Sequence, residues 1–156
     1  MTTTQGSPAS RPTGPVDKAC ALLSAAELEH AFGPTALKPV EQPPKGLGVA
    51  YRHGCQYSNP SVTITLDVLF ARDQGGTERK AIQDATKHRV DVEMVPGIGS
   101  AAAYFRMETG STSGFAAAKP MGTDSVMVIL LAKAADHAGS KETFAQLCTL
   151  ALQRIK

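Results

Sequence analysis

The residues of this chain whose types could do chemistry are three cysteines, four histidines, a Gly-x-Gly turn and a few aromatic side chains. Gly97-Ile98-Gly99-Ser100-Ala101-Ala102 has the outline of a dinucleotide-binding loop. Such a loop works only when a helix N-terminus follows the glycines and holds the pyrophosphate. Here Ala103-Tyr104-Phe105-Arg106-Met107 reads as strand, and no acidic residue stands at a strand end about twenty positions on. Pro96 and the two glycines therefore predict a tight turn between strands, and no cofactor is expected.

A metal centre needs three or four converging ligands. His30, His53, His88 and His137 stand singly on segments that read as surface, and an oxidised Cys55 cannot be a ligand. His53 could meet His30 near Cys55, but a solvated or core-edge histidine explains each of them. Ser24 and Ser58 have no neighbouring His–acid pair, and cap and turn positions account for them. Glu27 and Glu29 are two apart on a helix, so they point to different faces. No catalytic, cofactor-binding or metal-ligating residue is assigned. Tyr51, Tyr57, Tyr104 and Phe105 are the large side chains that could line a ligand or partner surface, with ordinary core packing the preferred reading of each.

Cys148 falls on the apolar stripe of the last helix and reads as a small buried hydrophobe. Cys20 and Cys55 are either a disulfide or two reduced thiols, because spacing alone never fixes connectivity. A bridge would span 35 residues and be worth about 4 kcal/mol in the chain-entropy picture.

The elements that must position these groups are legible from local signals. Ser24 and Glu27 form a capping box, Leu23 and Leu28 a hydrophobic staple, and Gly33-Pro34 a stop, so a short helix runs between them. Pro39, Pro43 and Pro44 suit an extended connection with an edge strand around Leu37–Glu41. Val49 to Ser58 reads as a strand, with Asn59-Pro60 as its turn. Val62, Ile64, Leu66, Val68 and Phe70 alternate with period two, the clearest strand of the chain. Thr77 to His88 is a helix with a narrow stripe of small apolar residues, Ala81, Ile82 and Ala85. Strands follow at Val90–Met94, Ala101–Met107 and Phe115–Ala118, the last closed by Pro120 and Gly122. Val126 to Leu131 is apolar on both faces and belongs in the middle of a sheet. Ser140 caps the last helix, whose apolar stripe is Phe144, Leu147, Cys148, Ala151 and Ile155; Arg154 and Lys156 suit its C-terminal dipole.

Short turns between strands favour antiparallel pairing. The expected fold is α+β, an antiparallel sheet of about five to seven strands packed by three helices, N-terminal, middle and C-terminal. Residues 1–15 hold almost nothing that could be buried and read as a disordered tail, or as a linker behind an export signal or lipid anchor. Residues 16–156 then form a single domain. Sixteen basic and fourteen acidic residues are scattered in both signs, so nucleic acid is not expected as a partner. The longest apolar run, Val126 to Ala132, is far short of a transmembrane segment.

Cys-Ala-Leu-Leu-Ser-Ala-Ala-Glu-Leu-Glu with Gly33 (20–33), Cys-Gln-Tyr (55–57) and Val-Pro-Gly-Ile-Gly-Ser-Ala-Ala-Ala-Tyr (95–104) occur in that order. Together they resemble a family of small bacterial, largely actinobacterial, envelope lipoproteins and secreted domains of unknown function. The chain departs from the family pattern in Lys18-Ala19 before the cysteine and in Ser100 where an Asp is usual. The resemblance implies an extracellular or cell-envelope location and a bridge between Cys20 and Cys55. The expected function is a non-enzymatic exported or envelope-associated binding or interaction domain, its partner a protein or small molecule. The alternatives are a carrier of small apolar ligands with an internal pocket, and an enzyme whose site is not readable from sequence. A closed cavity above roughly 300 Å³ would favour the carrier, and a flat apolar patch the interaction domain.

Overall fold

The computed structural model describes residues 18–48, 50–107, 112–134 and 140–155. The tail expected over residues 1–15, and His137 and Lys156, lie outside the described residues. A 3-10 turn at Ala19–Ala21 leads into helix α1 (Ala25–Phe32), strands β1 (Lys38–Leu47), β2 (Ala50–Ser58) and β3 (Val62–Ala71), and helix α2 (Glu78–Ala85). Strands β4 (Val90–Met94), β5 (Ala101–Arg106), β6 (Thr112–Met121) and β7 (Asp124–Ala134) follow, and helix α3 (Lys141–Arg154) ends the chain. The class is α+β as expected: seven strands in one antiparallel sheet, order β1-β2-β3-β7-β6-β5-β4, with helices at start, middle and end.

Two meanders, β1 to β3 and β4 to β7, meet where β3 pairs with β7. The doubly apolar strand β7 is thus central, its Val128 opposite Val68 of β3 and Ala117 of β6. Proline-rich β1 is an edge, where a missing N–H costs no ladder bond on the solvent side, and its register shifts between Gln42 and Lys45. Strand β6 runs past Pro120, where the sequence suggested a stop. Its pairing with β5 ends at Ala118, so Pro120 faces only β7 across the hairpin and needs no second partner.

The chain must cross from β3, near the centre, to β4 at the far edge, and α2 is that crossover. It therefore lies on one face of the sheet, while α1, the 3-10 turn and α3 cover the other. On the α1/α3 face Tyr57, Ile64, Leu66, Val68, Phe115, Val126, Val128 and Leu130 pack with Leu28, Phe144, Cys148 and Leu152 in one continuous core. On the α2 face, Ile82 alone anchors the helix, set among Ala101, Ala103, Phe105, Ala116 and Ala118. The alanines let the helix approach closely, and Gly114 leaves room for Phe105, since a Cβ there would meet its ring at 2.7 Å.

Candidate functional site

The N-terminal segment is tied to the sheet at three points. Cys20 and Cys55 form a disulfide with Cα atoms 5.0 Å apart, within the range for such bridges. Glu41, opposite Cys55 on β1, accepts from the backbone N–H of Ala19 at 2.9 Å and of Cys20 at 2.8 Å. The Tyr57 hydroxyl donates to the carbonyl of Leu23 at 2.5 Å, and burial pushes its pKa up. The capping box forms as read: Ser24 Oγ accepts from Glu27 N–H, and Glu27 accepts from Ser24 N–H. Glu27 also takes both arms of Arg154, at 2.8 and 2.7 Å, which holds its carboxyl down at about 2. Arg154 sits in the last turn of α3 as expected, and its guanidinium also reaches past the helix to α1 and donates to the Leu22 carbonyl. Lys119 of β6 joins it there, donating to the carbonyls of Leu152 and Ile155. Everything here is structural: each polar group is spent on holding α1 and α3 in place.

The Gly-x-Gly segment is a turn between β4 and β5, followed by strand and not by a helix. Gly97 and Gly99 have positive φ, and a Cβ on Gly99 would sit 2.3 Å from the carbonyl oxygen of Ala118. That oxygen accepts from Ser100 N–H at 2.8 Å. The glycines are there for backbone approach to β6, which accounts for the motif without a phosphate.

The four aromatic candidates do not share a surface. Tyr57 is 0% and Phe105 1% exposed, so both are core side chains, and Phe105 lies on the opposite face from the three tyrosines. Tyr51 and Tyr104 are half-buried, but three strands separate β2 from β5. Tyr104 packs on Phe144 at 5.8 Å, and Phe144 meets Phe32 of α1 at 5.1 Å. Tyr51 meets His53 edge-on at 5.7 Å, and His53, itself buried, meets Phe70. Tyr57 and Phe105 thus follow the core-packing reading, because alternation places residues on one face of a strand but says nothing about whether a helix covers that face. His30 and His88 are exposed, and among the described residues no cluster of three His, Cys, Asp or Glu could hold a metal ion. Cys148 is enclosed, and burial raises its thiol far from the reactive range.

A concave feature lies on the α2 face. A groove of about 640 Å³ runs between α2 and the part of the sheet that the helix leaves open. Its floor is Leu69 and Ala71 of β3 and Ser125, Met127 and Ile129 of β7; its wall is Gln74, Thr77, Lys80, Ala81, Asp84 and Ala85, with Arg89 just beyond α2. Strand pairing explains the floor: Leu69 stands opposite Met127, and Ala71 opposite Ser125. The wall follows from the small side chains of α2, which reach too short a distance to close the gap.

The charges along this groove are unequal. Lys80 and Asp84 pair with each other at 2.8 Å, both largely exposed. Arg89 forms no ion pair among the described residues; its guanidinium stands over the Phe105 ring at 5.8 Å, and its Nε is enclosed with no hydrogen-bond acceptor. Further along the same face Asp67 lies over Gly54, whose place a Cβ would contest at 2.8 Å from Oδ1. Burial raises the Asp67 carboxyl above its ordinary value, with Arg52 opposing the shift. The groove and Arg89 carried no motif. The one sequence signal was the narrow small-residue stripe of α2, which implied a helix that covers little. No family model, curated protein or solved structure matches this chain.

Proposed function

We propose that the chain is a non-enzymatic binding domain of the extracellular space or cell envelope, and that its ligand lies in the groove between α2 and the sheet. The groove itself carries this reading: at about 640 Å³ it falls within the usual range of ligand sites, and its floor is mostly apolar. The groove is open-sided, which favours a binding domain over a carrier that encloses its cargo. The envelope assignment rests on the Cys20–Cys55 bridge, which persists in oxidising compartments, and on the ordered motifs that resemble envelope lipoproteins.

A neutral apolar dye, N-phenyl-naphthylamine, is the first test. It should bind saturably, and Ala85→Trp, which fills the groove from a half-buried helix position, should abolish binding while the melting temperature holds. Dye binding that is absent, or untouched by the tryptophan, would sink the groove reading. The location is tested separately by acid-trapping and alkylating thiols in intact cells. Only Cys148 should react after unfolding, whereas reaction at Cys20 and Cys55 would place the protein in a reducing compartment.

A further inference from the structure

We infer that the occupant of the groove is a single-chain apolar molecule ending in a carboxylate, its chain on the Leu69–Met127–Ile129 floor and its head at Arg89. The inference rests on the groove being the binding site, and it adds the chemistry of the ligand.

Charge complementarity is the argument. Three charged residues line the groove, and two of them, Lys80 and Asp84, neutralise one another. The third, Arg89, leaves one uncompensated positive charge at one end of an apolar trough. A guanidinium is a planar fork suited to a carboxylate, and its charge persists at every ordinary pH. Nε is the enclosed nitrogen of Arg89, so a carboxylate in the groove would accept from the two Nη groups as a bidentate pair. Contact with the Phe105 ring holds the guanidinium in place, so little side-chain freedom is lost on binding. One cation matches one negative charge; a doubly charged phosphate monoester would leave a charge unmet.

The floor sets the rest of the ligand. Leu69, Ala71, Met127 and Ile129 are apolar and the Ser125 hydroxyl interrupts them at one point, so the body is mainly apolar. Met127 adapts to flexible shapes, which suits an alkyl chain better than a rigid ring system. The trough follows the sheet away from Arg89 and is open along its side, so chain length is weakly selected while the head group is strongly selected.

The experiment uses displacement of N-phenyl-naphthylamine by three matched probes, decanoate, decanol and decyltrimethylammonium, each below its aggregation limit. In the unaltered protein decanoate should bind about tenfold or more tightly than the other two, the usual reward of a charge-assisted pair. Arg89→Gln should erase that preference while decanol binding stays within about twofold. Arg89→Lys, which keeps the charge but not the fork, should fall between. A melting curve for each variant guards against loss of fold. Equal binding of all three probes, still blocked by Ala85→Trp, overturns the head-group inference and leaves the groove reading standing. Dye that binds but yields to none of the probes also overturns the inference alone. Failure of the dye itself removes both. Sedimentation with anionic phospholipid vesicles, without binding of dissolved decanoate, overturns the inference in favour of a membrane surface.

Discussion

The two faces of the sheet are built on different terms. One is closed by α1, the 3-10 turn and α3, locked by a disulfide, by hydrogen bonds that Glu41 accepts and by those that Tyr57, Lys119 and Arg154 donate. Its fully buried large side chains include Tyr57, Phe115 and Phe144. Among the described residues the other is crossed by α2 alone, eight residues long and anchored through Ile82. The helix ends differ in the same sense. Ser24 and Ser140 cap α1 and α3 with their hydroxyls, whereas Thr77 makes no cap to α2 and bonds to the Gln74 carbonyl. Buried Glu78 instead folds back to the Gly76 N–H. One face holds the larger buried cluster, and the other keeps a groove beside the one described helix that lies over it. That division suits a binding domain, since binding elements are drawn from the less stable parts of a fold.

Substitutions can break or sharpen this contrast. The largest effect is expected from Phe144→Ala, which removes the ring that joins α1, α3 and Tyr104 and should cost about 3–5 kcal/mol in chemical denaturation. Reduction of Cys20–Cys55 should follow at about 4 kcal/mol less any relaxation, and thiol titration of unfolded, unreduced protein should find Cys148 alone. On the opposite face, Ile82→Ala should cost about 2 kcal/mol, with hydrogen exchange accelerated in α2 and not in α3. Equal acceleration in both helices would show that the faces unfold as one unit.

Two carboxyls sharpen the comparison through pH. Glu27 is held at about 2 in the folded protein against an ordinary 4.5, so its pairing with Arg154 stabilises fully above about pH 4.5. That contribution is lost as pH falls toward 2. The pair is partly exposed, with 29% of the Glu27 side chain open to solvent, so about 1 kcal/mol is expected, and Arg154→Ala should flatten this part of the acid profile. Asp67 on the α2 face runs the other way. Its raised pKa means that the neutral form is favoured in the fold, so its contribution is present at low pH and lost as pH rises through the folded value. Asp67→Asn should raise the melting temperature by about a degree or two at neutral pH and bring no gain near pH 3. This smallest effect is the most specific, because a gain at both pH values would point to packing over Gly54 and not to charge.

Local chemistry was legible where neighbours in sequence decide the outcome. The bounds of α1 follow from residues three and four apart, Ser24 with Glu27 and Glu29 with the Gly33 N–H. The alternation of Val62 to Phe70 and the doubly apolar run of β7 fixed which strands are half-buried and which is central, because strand faces repeat every two residues. What lay outside reach was every partner set by register or crossover. Arg154 meets Glu27 127 positions away, and Lys119 caps a helix that begins 22 residues further on. Glu41 finds the 3-10 turn only because β1 pairs with β2 in one register, with Glu41 opposite Cys55. The groove is the extreme case. It exists because α2 must cross one face to reach the far edge of the sheet, and its alanines are too small to fill the space beside it. Amphipathic pattern decides which side of an element is buried; only the path of the chain decides how completely the opposing layer covers it.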